Sequence, residues 1–335
     1  MKIDKIEIKE YEKKFIDSTN LGSQKFDARF GWYIKLYSKN LYGVGEAAPI
    51  PTISTESHEQ VGYALNGFKA ALEGLEYSVD LQELLLLSEV HGFEIPSVQF
   101  ALDCAIYDLF SRSKKQALAE YLNPNYLNSI NINSIYSDRA CIDKLDTQVL
   151  KIKINESNIF AIKEKLDKII VDYPSKTKLR LDFNESLDLI RAIRIFKELE
   201  PYNIDYIEQP LDRKNIDDSH DLRMSVNIPI ALDESVTSYE SVKNIIQEGT
   251  ADVIVIKPML TGSFKEIGKI IDYCQSEGVR TIITSSFETS IAQSHIINLT
   301  ASFRIKEHCG IFNIKLFEED FLAPINQDQI SLPIG

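Results

Sequence analysis

From about residue 128 the chain alternates short apolar runs with amphipathic stretches of helical period. The runs SININ (129–133), QVLKIKI (148–154), KLRLDF (178–183), DYIEQ (205–209), IPIAL (228–232), ADVIVIK (251–257) and RTIITS (280–285) read as strands, with an eighth near GIFNIKL (310–316). Between them, Ser157 precedes the stripe Ile159, Ile162, Leu166, Ile169, and Ser186 precedes Leu187, Ile190 and Ile193, so helices are expected to start at those serines. Strand and helix alternating this often predict parallel βαβ units, and eight strands predict a closed barrel. With no long helical segment after the eighth strand, the expectation is an α/β fold of the (β/α)7β kind, a modified TIM barrel.

The first third has a different rhythm. Residues 2–15 and 30–38 read as strands, the second with Trp32, Ile34 and Leu36 alternating against Tyr33, Lys35 and Tyr37. The polar segment around 17–29 is expected to be a long mobile loop that contributes to specificity. The glycines and prolines of YGVGEAAPIPTISTES are expected to exclude regular structure. Three helices are predicted near 56–74, 80–88 and 96–112; in the last, Val98, Ala101, Leu102, Ala105, Ile106 and Leu109 recur at helical spacing. The predicted organisation is an α+β capping domain over 1–124, completed by the tail 317–335, and a barrel over 125–316.

Composition narrows the function classes. A net charge of -13, from 37 basic and 50 acidic residues, argues against a nucleic-acid or anionic-membrane binder, because both need a basic face. The N-terminus lacks the continuous apolar core of a secretory signal and no run is long enough for a transmembrane helix, so a cytoplasmic protein is expected. Cys104, Cys141, Cys274 and Cys309 have no zinc spacing and are expected to be reduced thiols. The five histidines form no metal motif.

In such barrels the active site lies at the C-terminal ends of the strands. Those ends carry Lys151 and Lys153, then Asp182, Glu208, Asp233 and Lys257; from Lys153 the steps are 29, 26, 25 and 24 residues, each one βα unit. Residues two apart share a face, so Lys151 and Lys153 point together, and Arg180 shares the inward face with Asp182. Three converging carboxylates repel one another unless a cation joins them, and an oxygen-only set suits Mg²⁺, with Mn²⁺ as a possible substitute. A lysine acts as a base only when neutral, and Lys151 and the metal would disfavour charge on Lys153. Lys257, from the opposite side, would face the negative charge that develops when a carboxylate substrate loses its α-proton.

The motifs GEAAPIP, FALDCAIYDL, KIK, LDFN, IEQP, LDES and IKP together resemble the muconate-lactonizing-type branch of the enolase superfamily over nearly the whole chain. Within it, IKPMLTGSF, TSSFETS and PIPTISTES are most similar to the o-succinylbenzoate synthases of menaquinone biosynthesis. The resemblance implies syn-dehydration of 2-succinyl-6-hydroxy-2,4-cyclohexadiene-1-carboxylate. Lys153 would be base and then acid, Lys257 an electrostatic stabiliser, and Asp182, Glu208 and Asp233 the metal ligands. Lys151 would support Lys153, Asn184 and Glu234 would orient ligands or the metal's waters, and Arg180 would balance charge below the site. The hydroxyls and backbone N–H groups of Thr284, Ser285 and Ser286, near a helix start, would receive the succinyl carboxylate. Two rivals stay open: an N-acylamino-acid racemase or dipeptide epimerase using both lysines, and a barrel that binds without catalysis. The strand-eight region lacks the paired aspartates of dipeptide epimerases. Oligomeric state is not legible.

Overall fold

The computed structural model describes residues 1–21, 24–73, 77–136, 147–311, 316–317, 320, 325–326 and 329–332. Cys141, and most of the segment expected to form strand eight, lie outside them.

The chain begins with an antiparallel meander, β1 (Lys5–Leu21), β2 (Gln24–Ser38) and β3 (Leu41–Ala47). This corrects two expectations. The 17–29 segment is a hairpin, because β1 and β2 keep pairing to Leu21↔Gln24 after an irregularity between Lys14 and Thr19. The stretch with Gly43 and Gly45 is a strand, and its glycines are there for a tertiary reason. A Cβ on Gly45 would stand 1.9 Å from the Ala101 carbonyl oxygen, and one on Gly43 2.0 Å from that of Ala105. The helix contributing both carbonyls can therefore lie directly against the sheet.

That helix follows α1 (His58–Leu72) and α2 (Leu81–His91), and is α3 (Pro96–Ser113). Capping boxes start the first two, Ser57 with Gln60 and Asp80 with Glu83, and Pro96 opens the third. Val98, Ala101, Leu102, Ala105, Ile106 and Leu109 are all buried in the capping core with Ile34, Leu65 and Phe68. The other face of α3 sends Phe100 and Cys104 into the barrel core, so one helix serves two cores. The short α4 (Leu118–Leu122), unanticipated, leads on to the barrel.

The barrel region runs β4 (Ser129–Asn131), β5 (Ser134–Ile135), β6 (Val149–Lys153), α5 (Ile159–Asp172), β7 (Lys178–Asp182), α6 (Leu189–Leu199), β8 (Ile204–Glu208), α7 (Ile216–Ser225), β9 (Ile230–Leu232), α8 (Tyr239–Gln247), β10 (Val253–Ile256), α9 (Pro258–Thr261), α10 (Phe264–Ser276), β11 (Arg280–Ile283) and α11 (Ser290–Ser302). Strands β5 to β11 form one sheet, each beside the next in sequence. Parallel bridges Thr284↔Gly310 and Ile132↔Cys309 carry the curl round to its start. Closure thus begins at Cys309–Gly310, at the start of the segment expected for strand eight.

Strand parity divides the barrel. Leu150, Ile152, Leu179, Leu181 and Ile207 pack outward against the helices. Tyr206, Ala231, Val253, Val255 and Ile282 form a separate cluster inside it. Two helices start later than the serine signals indicated: Asn158 caps α5 and Asp188 caps α6. Ile190 then falls on the solvent side, 80% exposed, and Ala192, Ile195, Phe196 and Leu199 make the buried face. Past the barrel, Phe317 bridges to Phe15 of β1, and β12 (Ile325–Asn326) and β13 (Gln329–Ser331) return to pair with β4. Cys104, Cys274 and Cys309 are buried free thiols. Among the described residues no helix is long and apolar enough to cross a membrane.

Candidate active site

Register brings the charged strand ends together. Lys153 of β6 is opposite Asp182 of β7, which is opposite Glu208 of β8. Asp233 and Lys257 follow β9 and β10. Lys151 Nζ lies 2.9 Å from Asp182 Oδ2 and 2.7 Å from Glu208 Oε1, tying two strand ends together. Lys257 Nζ lies 2.5 Å from Asp233 Oδ2. Lys153 is exposed and makes no ion pair among the described residues; its carbonyl accepts from Lys165 Nζ.

The electrostatics follow from this crowding. Burial pushes the Glu208 carboxyl up to about 8; Lys151 opposes that, while Asp182 and Asp233 add to it. Burial disfavours charge on Lys151, but Asp182 and Glu208 outweigh it and hold the ammonium well above the ordinary lysine range. Lys257 is raised in the same way, with Asp233 and Glu234 overcoming its burial. Lys151 is therefore committed to two carboxylates, rather than standing as an uncompensated charge beside Lys153.

Among the described residues no three His, Cys, Asp or Glu side chains are grouped closely enough to hold a metal ion; the two ammonium groups lie on the carboxylates instead. The donor set nonetheless fits a hard divalent cation. All three carboxylates are buried, and Glu208 Oε2 has no hydrogen-bond partner. A buried carboxylate oxygen without a donor is costly, and oxygen-only ligands are what Mg²⁺ takes.

The surrounding residues hold this cluster in place. Asn184 N donates to Asp182 Oδ1 at 3.1 Å, and its Nδ2 to Glu234 Oε1 at 3.2 Å. Its φ of 42° belongs to the left-handed region that asparagine tolerates best after glycine. Burial, then the Asp233 charge, push Glu234 up to about 7. The sequence reading did not select Gln209, which is wholly buried. Its Oε1 accepts from Asp233 N at 3.0 Å and Ser235 N at 3.2 Å, and its Nε2 donates to the Leu211 carbonyl. The signal was a neutral amide directly after Glu208 in IEQP.

Arg180 is not brought to the three carboxylates. It is buried with Nε on Asp205 Oδ2 at 2.9 Å, and its guanidinium lies 4.7 Å from the Tyr206 ring centroid. Thr284, Ser285 and Ser286 are buried at the end of β11, and Thr284 Oγ1 and Ser286 Oγ lack partners. The expectation that backbone N–H groups here receive a substrate carboxylate needs correction. Thr284 N donates to Ile256 O, Ser285 N to Gly310 O and Ser286 N to Glu288 Oε2. The start of α11 is filled by the chain's own acids: Glu46 accepts from Thr289 N and Ala292 N, and Asp320 from Ser290 N. Only the two hydroxyls offer themselves. The capping loop stands over the other side, where a cavity of about 80 Å³ separates Ile53, Thr55 and Glu56 from Asp233, Glu234 and Lys257.

Comparison with known proteins agrees with this geometry. Residues 139–329 match the family model described as enolase C-terminal domain-like, and residues 5–109 match that of the MenC N-terminal domain. The chain is 26% identical over 277 residues to the hydrophobic dipeptide epimerase of Enterococcus faecalis, covering 79% of this chain and 77% of that one. It is also 26% identical over 286 residues to the o-succinylbenzoate synthase of Photorhabdus laumondii, covering 82% and 80%. The crystal structure of the Enterococcus faecalis dipeptide epimerase, complexed with Mg and the dipeptide L-Leu-L-Tyr, superposes with a TM-score of 0.87 at 22% identity, over 99% of this chain and 98% of that one.

Proposed function

The chain belongs to the enolase superfamily, whose members are enzymes, among them lyases, racemases and epimerases, and on that footing we propose that it is a Mg²⁺-dependent o-succinylbenzoate synthase. The observation that carries the choice of reaction is the MenC N-terminal match over residues 5–109. That part of the chain supplies the hairpin and the loop standing over the barrel mouth, where a substrate's distal groups are read. Catalytic strand ends are shared by relatives with different reactions, so they do not choose among them.

Asp182, Glu208 and Asp233 would hold Mg²⁺, or Mn²⁺ in its place, which when bound supplies stabilisation of negative charge on the substrate carboxylate. Lys153 takes the α-proton, since it is the lysine of the three that no carboxylate pins as a cation. The C–H electron pair becomes the new ring double bond. The C–O bond breaks on the same face, and Lys153 returns its proton to the departing hydroxyl, releasing water and the aromatic product. Lys257 serves as a fixed positive charge on the far side, and Lys151 keeps the ends of β7 and β8 together. The two unpartnered hydroxyls of Thr284 and Ser286 are the proposed donors to the succinyl arm.

The test is turnover of 2-succinyl-6-hydroxy-2,4-cyclohexadiene-1-carboxylate by the Mg²⁺-loaded protein, against a panel of dipeptides and N-acyl amino acids. Dehydration is expected to dominate, and Lys153→Ala to abolish it with Mg²⁺ affinity retained. Efficient epimerisation of a panel member without detectable dehydration would overturn the reading.

A further inference from the structure

At the end of the barrel away from the lysines, the strand beginnings enclose a cavity of about 420 Å³ lined by Lys176, Lys178, Arg180, Asp205, Arg280 and Glu307, among others. Among the described residues four basic and two acidic side chains line it, in a chain whose net charge is -13. A local excess of positive charge in an acidic protein has to be built, and this one is built by a register irregularity. Leu179 is opposite Ile204 but Arg180 is opposite Tyr206, so Asp205 is the extra residue of a bulge in β8. An extra residue frees a side chain from the alternation of its strand. The Asp205 carboxylate accepts from Arg180 Nε at 2.9 Å and from Arg280 Nη2 at 3.0 Å, drawing two guanidinium groups to one point. Tyr206 lies under both, with ring-centroid distances of 4.7 and 5.9 Å.

Within this cluster the hydrogen bonding of Arg180 is incomplete. The residue is 1% exposed. Its Nε is met by Asp205, and its Nη1 by Asn133 Oδ1 and the His308 carbonyl. Nη2 has no hydrogen-bond partner, and Glu307 Oε2 stands 3.9 Å from it. A buried guanidinium that lines a polar cavity with one N–H unmet is suited to an oxygen acceptor, and guanidinium geometry matches phosphate and carboxylate oxygens.

We infer that this end of the barrel binds a small dianion with oxygen acceptors, either a phosphate group or a dicarboxylate. The ligand is seated on Arg180 Nη2, with Arg280 and Lys178 at its rim. The cavity volume lies in the range of small-molecule sites. Asp205 and Glu307 hold the guanidinium groups in position.

The experiment is calorimetric titration of the full-length, Mg²⁺-loaded protein with inorganic phosphate and, separately, with succinate, at ionic strength matched by chloride. Saturable binding of at least one probe is expected, weakened about threefold or more by Lys178→Gln and tenfold or more by Arg280→Gln. The tighter probe identifies the source as phosphate ester or dicarboxylate. Lys178 is 57% exposed in its side chain, so Lys178→Gln folds and decides the matter alone if Arg280→Gln does not. Absence of saturable binding by either probe overturns the inference. Binding that the foldable variants leave unchanged also overturns it, since the anion then sits elsewhere, including at the metal site.

Discussion

Replacing Glu46 by glutamine removes one charge from the joint between capping sheet and barrel, and the structure sets the size of the effect. Glu46 is wholly buried. Its Oε1 accepts from Tyr11 Oη at 2.5 Å and Thr289 N at 3.0 Å, and its Oε2 from Thr289 Oγ1 at 2.6 Å and Ala292 N at 3.1 Å. Glutamine can accept at only one of these ends, so its NH₂ must face donors at the other. The Thr289 hydroxyl can reverse and accept, but the Ala292 N–H cannot. One unmet buried N–H costs about 1–3 kcal/mol, and losing a negative charge at a helix start costs about 0.3–1 kcal/mol more. The expected loss is about 1.3–4 kcal/mol, the upper part offset because glutamine is cheaper to bury. Trp32, the single tryptophan, lies in β2, so its fluorescence reports the capping sheet while far-UV circular dichroism reports all the helices. In Glu46→Gln the fluorescence midpoint in urea should move down and precede the dichroism midpoint. At about 3 kcal/mol per M that shift is roughly 0.4–1.3 M. Tyr11→Phe, which leaves Oε1 bonded to Thr289 N, should cost only about 1 kcal/mol. A loss under about 0.5 kcal/mol for Glu46→Gln, with the two probes still coincident, would refute the reasoning.

Two further outcomes follow from buried polar groups. Gln209→Leu leaves the Asp233 and Ser235 N–H groups without their acceptor, and should cut turnover or Mg²⁺ affinity by about 10–100-fold while the chain stays folded; a change under twofold in both would remove Gln209 from the positioning residues. Asp103 is pushed up to about 7 by burial, against the pull of the Phe264 N–H and the Ser88 hydroxyl. Its folded-state value is above the unfolded one of about 3.9, so its stabilising share is complete below about pH 4 and is lost as pH rises through 7. Relative to wild type, Asp103→Asn should therefore gain stability between pH 5 and 8, by up to about 1.4 kcal/mol per unit. Parallel urea midpoints across that range would contradict it.

The parts legible in the sequence are those governed by local period. Lys151, Lys153, Asp182, Glu208, Asp233 and Lys257 were found because one βα unit per step is a property of the chain itself. The six apolar positions of α3 were found because helical spacing marks a buried face. What escaped depends on neighbours far away in sequence. Gly43 and Gly45 look like strand breakers until α3 lies against them, and the 17–29 hairpin has its reason in pairing between strands. The start of α11 looks like an anion site until Glu46, more than 240 residues earlier, takes its N–H groups. Gln209 resembles any strand-end amide until both its acceptor contacts on the next strand are seen. Asp205 is the same kind of case, since a bulge cannot be read from alternation.

The return of the tail has a consequence for synthesis. Phe15 bridges to Phe317, and β4 completes its pairing only with Gln329–Ser331. A ribosome adding about 5–20 residues per second takes roughly 15–60 s to travel from the first of these phenylalanines to the second. Until the later partners emerge, the Phe15 face and, once made, the β4 edge stand uncovered on the nascent chain. These late residues therefore act as a clasp on much earlier ones. A chain stalled shortly before them would carry a formed barrel with an open edge, the kind of surface that holding chaperones engage and that aggregation exploits.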